Sequence, residues 1–189
     1  MTRALVVVVV AAACLPLTAG TAQPPAAARA PAEWKAVLAD RVRLYGHRNW
    51  VVVADSAYPA QTRGGIETVV TGADHLTVVA AVLDELAKAK HVRPVVHLDA
   101  ELPHVPEADA PGITKYRTDL VKALGDRRPK AVPHEDVIAK LDKAGETYRV
   151  LILKTDLTLP YTSVFLELDC GYWSPDAERR LRESLKPGR

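Results

Sequence analysis

A single α/β domain of three layers, with a mainly parallel sheet covered by helices, is the fold class this sequence predicts. Three observations predict it. Trp50 to Ala54 (WVVVA), Tyr148 to Lys154 (YRVLILK) and Ser163 to Leu168 (SVFLEL) are apolar runs too continuous for half-exposed strands. Segments with apolar residues at helical spacing alternate with such runs along the chain. A length of 189 residues, 48% hydrophobic and 25% charged, suits one domain with a substantial core.

Each element can be justified in order. Trp34, Val37, Leu38 and Val42 repeat at helical spacing through EWKAVLADRVRLY, and Gly46 is placed to end that helix before His47. Trp50 to Ala54 follows as a strand covered on both faces. In HLTVVAAVLDELAKAK, Leu76, Val79, Ala80, Leu83, Leu86 and Ala87 form a stripe, with Asp74 as N-cap. Val92 to Leu98 reads as a strand in which Pro94 marks the beginning or an edge. Ile113, Tyr116, Leu120 and Leu124 mark a helix stopped by Gly125, and His134 to Ala144 a shorter one. The two remaining strands lie at Tyr148 to Lys154 and Ser163 to Leu168. Ser174-Pro175 then reads as an N-cap with proline at the first helical position, opening a charged helix from Asp176 to Leu185.

The N-terminus is of another kind. Arg3, an apolar run from Ala4 to about Leu15 and the small residues Gly20-Thr21-Ala22 read as an export signal over residues 1–22, which predicts a periplasmic or secreted protein. The run is shorter than the ~20 residues a spanning helix needs. A lipid anchor on Cys14 is the less favoured variant, because the leucine usual three residues earlier is missing. Residues 23–31 (QPPAAARAP) form an extended Pro/Ala linker, residues 32–173 the folded domain and residues 174–189 a charged tail. Removal of the signal leaves Cys170 as the only thiol, so no intramolecular disulfide forms. A net charge of +2, with no basic cluster interleaved with aromatics, argues against nucleic acid as a partner.

In open α/β sheets ligands bind beyond the carboxyl ends of the strands, and Asp55 stands at such an end, followed by the turn-prone Ser56-Ala57-Tyr58-Pro59. An aspartate there can equally serve as a loop cap. His47 lies at the other limit of the same strand, and Trp50 to Ala54 alone spans roughly 16 Å. One chain therefore brings the two to one small ligand only if the loop from His47 to Asn49 folds back; otherwise His47 of one subunit meets Asp55 of another. The loop KTDLTLPYTSVF presents Tyr161 and Ser163, whose hydroxyls can bond sugar hydroxyls while the tyrosine ring packs on a sugar's apolar face. His97, Asp99 and Glu101 would share a face if their strand continued, with His104 nearby, as a metal site requires. The prolines around them favour a strand end passing into an exposed loop, and no metal site is assigned.

Gly46-His47, Val51-Val52-Val53-Ala54-Asp55-Ser56-Ala57, Tyr58-Pro59-Ala60 and the later Pro160-Tyr161-Thr162-Ser163 before an apolar strand and Gly171 resemble the D-ribose pyranase and L-fucose mutarotase family. The likeness extends loosely from Trp34 to Trp173. It implies a cofactor-free isomerase that opens and recloses the ring of a free monosaccharide, ribose- or fucose-like. His47 falls on the family's proton donor, and Asp55, His134, Tyr161 and Ser163 on its sugar-binding positions, Ser163 standing where the family has asparagine. The resemblance further implies a ring-shaped homo-oligomer with sites between subunits. A non-catalytic exported monosaccharide-binding protein would keep Asp55 and Tyr161 without needing His47.

Overall fold

The computed structural model describes residues 33–185. The export signal and linker read from residues 1–31 lie outside the described residues, as do the last four of the tail. The chain forms α1 (Glu33–Leu44), β1 (Trp50–Ala54), β2 (Ile66–Val70), α2 (His75–Lys88) and β3 (Val92–Asp99), then α3 (Ile113–Leu124) and β4 (Lys130–Val132). It continues through α4 (His134–Thr147), β5 (Val150–Lys154), β6 (Val164–Cys170) and α5 (Pro175–Ser184). One six-stranded sheet has the order β2-β5-β1-β6-β3-β4. Only β6 runs against its neighbours; the other pairings are parallel, and the mixed α/β class holds.

Period-two alternation divides the core between the two faces of the sheet. Val51 and Val53 of β1, Leu151 and Leu153 of β5, and Val164, Leu166 and Leu168 of β6 pack beneath α1, α2 and α3. On the other face Trp50, Val52, Ile152 and Phe165 meet Val137 and Leu141 of α4. Each fully buried valine or leucine stabilises by about 1.5–3 kcal/mol, so both layers are needed. Where α4 does not reach, the β6–β3 half of that face carries polar side chains: Arg93 donates to Asp169 at 2.6 and 3.0 Å, and His97 Nε2 lies 3.0 Å from Glu167.

The caps act as the sequence predicts. Asp74 accepts the Thr77 amide at 2.9 Å, Ser174 accepts that of Ala177 at 3.1 Å, and Gly125 ends α3 at φ +60°. Pro94 sits where β3 is the sheet's edge, because β4 pairs only with His97 to Asp99. Two strands escaped the sequence reading. β2 is an edge strand whose only buried residue is Val69, and β4 has three residues, none buried, so neither shows a hydrophobic run. Gly65 precedes β2 where a Cβ would lie 2.3 Å from the Gly145 carbonyl oxygen and 2.4 Å from that of Tyr148, so only glycine lets the strand approach α4 this closely. α5 buries no residue and is a peripheral addition.

His75, the first residue of α2, is 1% exposed. Its Nε2 lies 3.3 Å from the Val53 carbonyl, which requires the proton on that nitrogen. Tyr116 on α3 donates its hydroxyl to the Thr162 carbonyl at 2.8 Å and stands 3.3 Å from His75 Nδ1. Burial pushes the His75 pKa down to about 4 despite the Val53 hydrogen bond. The unfolded chain takes up this proton near ~6.5 and the folded one only near 4, so its contribution is complete above the first value and is lost as pH falls toward the second. Urea unfolding followed from pH 7 to pH 4 should lose up to about 3 kcal/mol more in the wild type than in His75→Gln. Parallel pH curves for the two proteins would refute a neutral buried imidazole.

Candidate functional site

β1, β3, β4 and β5 all end at one edge of the sheet, and β6, being reversed, begins there. Val164 pairs with Val53 on one side and Leu98 on the other, which sets Ser163 between the ends of β1 and β3. Asp55 follows β1. One of its oxygens accepts the Ala57 amide at 2.9 Å, an Asx turn, and the other accepts the Ser163 hydroxyl at 3.1 Å. The Ala57 hydrogen bond is the loop-cap role weighed for this aspartate.

Asp99 closes β3 at 2% exposure. Its Oδ1 is 3.1 Å from His134 Nδ1, and its Oδ2 is buried without a hydrogen-bond partner. Burial pushes the Asp99 carboxyl up to about 6, against the pull of the His134 hydrogen bond. His134 is the first residue of α4. Pro133 before it offers no side-chain cap, and the Glu101 carboxylate accepts the His134 amide instead, at 3.1 and 3.2 Å. That backbone hydrogen bond holds Glu101 below the usual carboxylate range. The Tyr161 ring stands edge-on to the imidazole, with centroids 5.5 Å apart, on a backbone at φ +56°. Tyr58, 3% exposed, brings a second buried polar atom without a partner, its hydroxyl oxygen.

Of the five predicted site residues, Asp55, Ser163, His134 and Tyr161 come together at this end. His47 does not join them within one chain. It lies beyond the opposite end of β1, 55% exposed, with Nε2 4.0 Å from Asp169. The loop does not fold back over the sheet, because Arg48, at φ +75°, donates its amide to the Leu168 carbonyl at 2.7 Å and pins it there. A cavity of about 560 Å³ opens beside His47, bounded by Arg93, Asp169, Trp173 and the α5 residues Glu178 and Arg182. His97 and Asp99 do share a face of β3, but each is engaged elsewhere, by Glu167 and His134. No group of three histidine, cysteine or acidic side chains among the described residues is arranged to hold a metal ion.

Asp99 entered the sequence reading only as a metal candidate, and Tyr58 and Tyr116 only as a motif residue and a helix marker. A signal was present for Asp99, an acid at the end of a strand, the same signal that singled out Asp55.

No protein-family model and no curated protein matches the chain. Solved structures do. RbsD of Bacillus subtilis, complexed with D-ribose, is 19% identical over 70% of this chain and 91% of its own, with a TM-score of 0.49. A fucose mutarotase from Streptococcus pneumoniae, in complex with L-fucose, is 18% identical over 69% and 89%, with a TM-score of 0.45. FucU from Bifidobacterium longum is 15% identical over 71% and 92%, with a TM-score of 0.47. The fucose mutarotase falls in the family that the sequence motifs resemble. All three TM-scores lie below 0.5 and all three identities below 20%, so no role passes from these proteins to this chain.

A bulky residue in the left-handed region costs about 1–2 kcal/mol, which Tyr161 must recover from its surroundings. In thermal melts Tyr161→Gly should equal or exceed the wild type, whereas Tyr161→Val, β-branched, should melt several degrees lower. A Gly variant melting well below the Val variant would contradict the left-handed backbone at the site.

Proposed function

We propose that the chain binds a free monosaccharide, ribose- or fucose-like, at the open end of the sheet and interconverts its ring forms by general acid–base chemistry. The observation that carries this reading is the pairing of Asp55 with Ser163 and of Asp99 with His134 on adjoining strand ends, beside the Tyr161 ring. Carboxylate, hydroxyl and imidazole together match the alternating donors and acceptors of a polyol, and an aromatic ring suits its apolar face. Ring opening takes the anomeric proton and protonates the ring oxygen. An imidazole with a reference pKa near ~6.5 can do either at neutral pH.

In this scheme His47 acts as proton donor from a neighbouring copy of the chain, completing a site whose remaining groups are Asp55, His134, Tyr161 and Ser163. Its exposure and the length of β1 between it and Asp55 support the arrangement, and with it a homo-oligomer. Neither metal nor nucleotide takes a step. Export is part of the same reading, supported by the apolar run and small-residue site of residues 1–22. Engagement of both Asp55 oxygens within the chain favours a second reading, a non-catalytic monosaccharide-binding protein.

Saturation-transfer NMR on ribose and fucose solutions separates the two. Wild type should accelerate exchange between ring forms, and His47→Ala should lose about 10²-fold or more of that rate. Binding of the sugar with no acceleration by wild type would leave the binding protein standing and remove the isomerase.

A further inference from the structure

The Asp99–His134 pair differs from the other polar contacts of the fold. Asp99 is a carboxylate more than nine-tenths buried with one oxygen unpartnered, and its one side-chain partner is an imidazole whose other nitrogen, Nε2, has no hydrogen-bond partner among the described residues. A carboxylate this deeply buried is costly when one of its oxygens has no hydrogen-bond partner, so its presence here points to chemistry. The geometry also fixes the tautomer. An ionised Asp99 can only accept, so Nδ1 carries the proton and Nε2 keeps a bare lone pair.

We infer that His134 is itself a proton-transfer residue of the site, a catalytic base and acid rather than a sugar ligand alone, and that Asp99 is its positioning residue. The inference rests on the proposed ring-form isomerisation. His134 Nε2 removes the proton from the anomeric hydroxyl; the O1–H electron pair becomes the carbonyl π bond at C1, the C1–O5 bond breaks, and its electron pair stays on the ring oxygen. The protonated His134 then delivers that proton to O5, which is geminal to O1 in the closed ring. Rotation about C1–C2 and the same steps in reverse close the other anomer. Atoms and electrons balance with one imidazole, and a proton donor from a second subunit would speed the step without being required by it.

Groups facing the pair are Asp55 and Tyr58 beyond β1, Glu101 beyond β3, Tyr116 on α3 and Tyr161 before β6. Burial pushes the Tyr58 and Tyr116 hydroxyls upward and the His134 amide holds Glu101 down, so these three titrate away from neutrality.

The test measures ring exchange of ribose and fucose against sugar concentration and pH for full-length wild type, His134→Gln and Asp99→Asn, together with the 15N chemical shifts of the His134 ring. Expected are a fall in kcat of about 10²-fold or more for His134→Gln with KM changed far less. Asp99→Asn should move the acid limb of kcat down by about one pH unit or more, because the opposing charge is lost. Wild-type shifts should show Nδ1 protonated and Nε2 bare above neutral pH. A His134→Gln protein that keeps kcat and only raises KM, an acid limb unmoved in Asp99→Asn, or an Nε2-protonated neutral ring would each overturn the inference while leaving the isomerase intact. No acceleration by wild type removes both.

Discussion

The reversed direction of β6 is the constraint on which the rest depends. Wedged between β1 and β3, it starts where they stop, so the residue just before it can be polar at the carboxyl ends of its neighbours, where open α/β sheets bind ligands. Ser163 meets Asp55 there because Val164 is locked to Val53, and the same lock to Leu98 brings Asp99 to the adjoining position. The other end of β6 carries Asp169 to Arg93 and to the neighbourhood of His47. One strand thus sets the spacing of both polar regions, and slipping its register by a residue would turn Ser163 and Phe165 to the wrong sides.

Around that lock the polar network is continuous through the core layers. His75 and Tyr116 anchor the Val53 and Thr162 carbonyls, two residues before Asp55 and one before Ser163 in sequence. The loop that bears Tyr161 is accordingly tied from beneath, and its left-handed residue is held by a hydrogen bond to the backbone next to it. On the opposite face Glu101 starts α4 and sets His134 over Asp99. Asp99 ends a strand and His134 starts a helix, while Asp55 and Ser163 sit one residue outside β1 and β6, so their spacing is set by the sheet.

Legibility in the sequence followed burial. Val51–Val53, Leu151–Leu153 and the α2 stripe were readable because continuous apolar runs and helical periodicity are direct consequences of coverage on two faces or one. β2 and β4 were not, since an edge strand with one buried residue or none leaves no such trace. Asp55, Ser163, His134 and Tyr161 were singled out by position and by resemblance, and the fold brings them to one end of the sheet. The partnership of Asp99 with His134 was invisible because the residues lie 35 positions apart, and their contact arises only when β3, β4 and the start of α4 are assembled. His97, Asp99 and Glu101 looked like a ligand set for the reason that alternation puts residues on one face; the partners across the sheet then divided them.

Pro94 has a consequence for the chain's dealings with its own copies. Below the short β4, the flank of β3 would otherwise offer a row of amides to any extended segment that drifted past. A pyrrolidine in that row breaks the template midway, and Arg93 beside it is already committed to Asp169 on the inner side. At that flank, copies of this protein that associate are steered toward side-chain surfaces and away from extending the sheet.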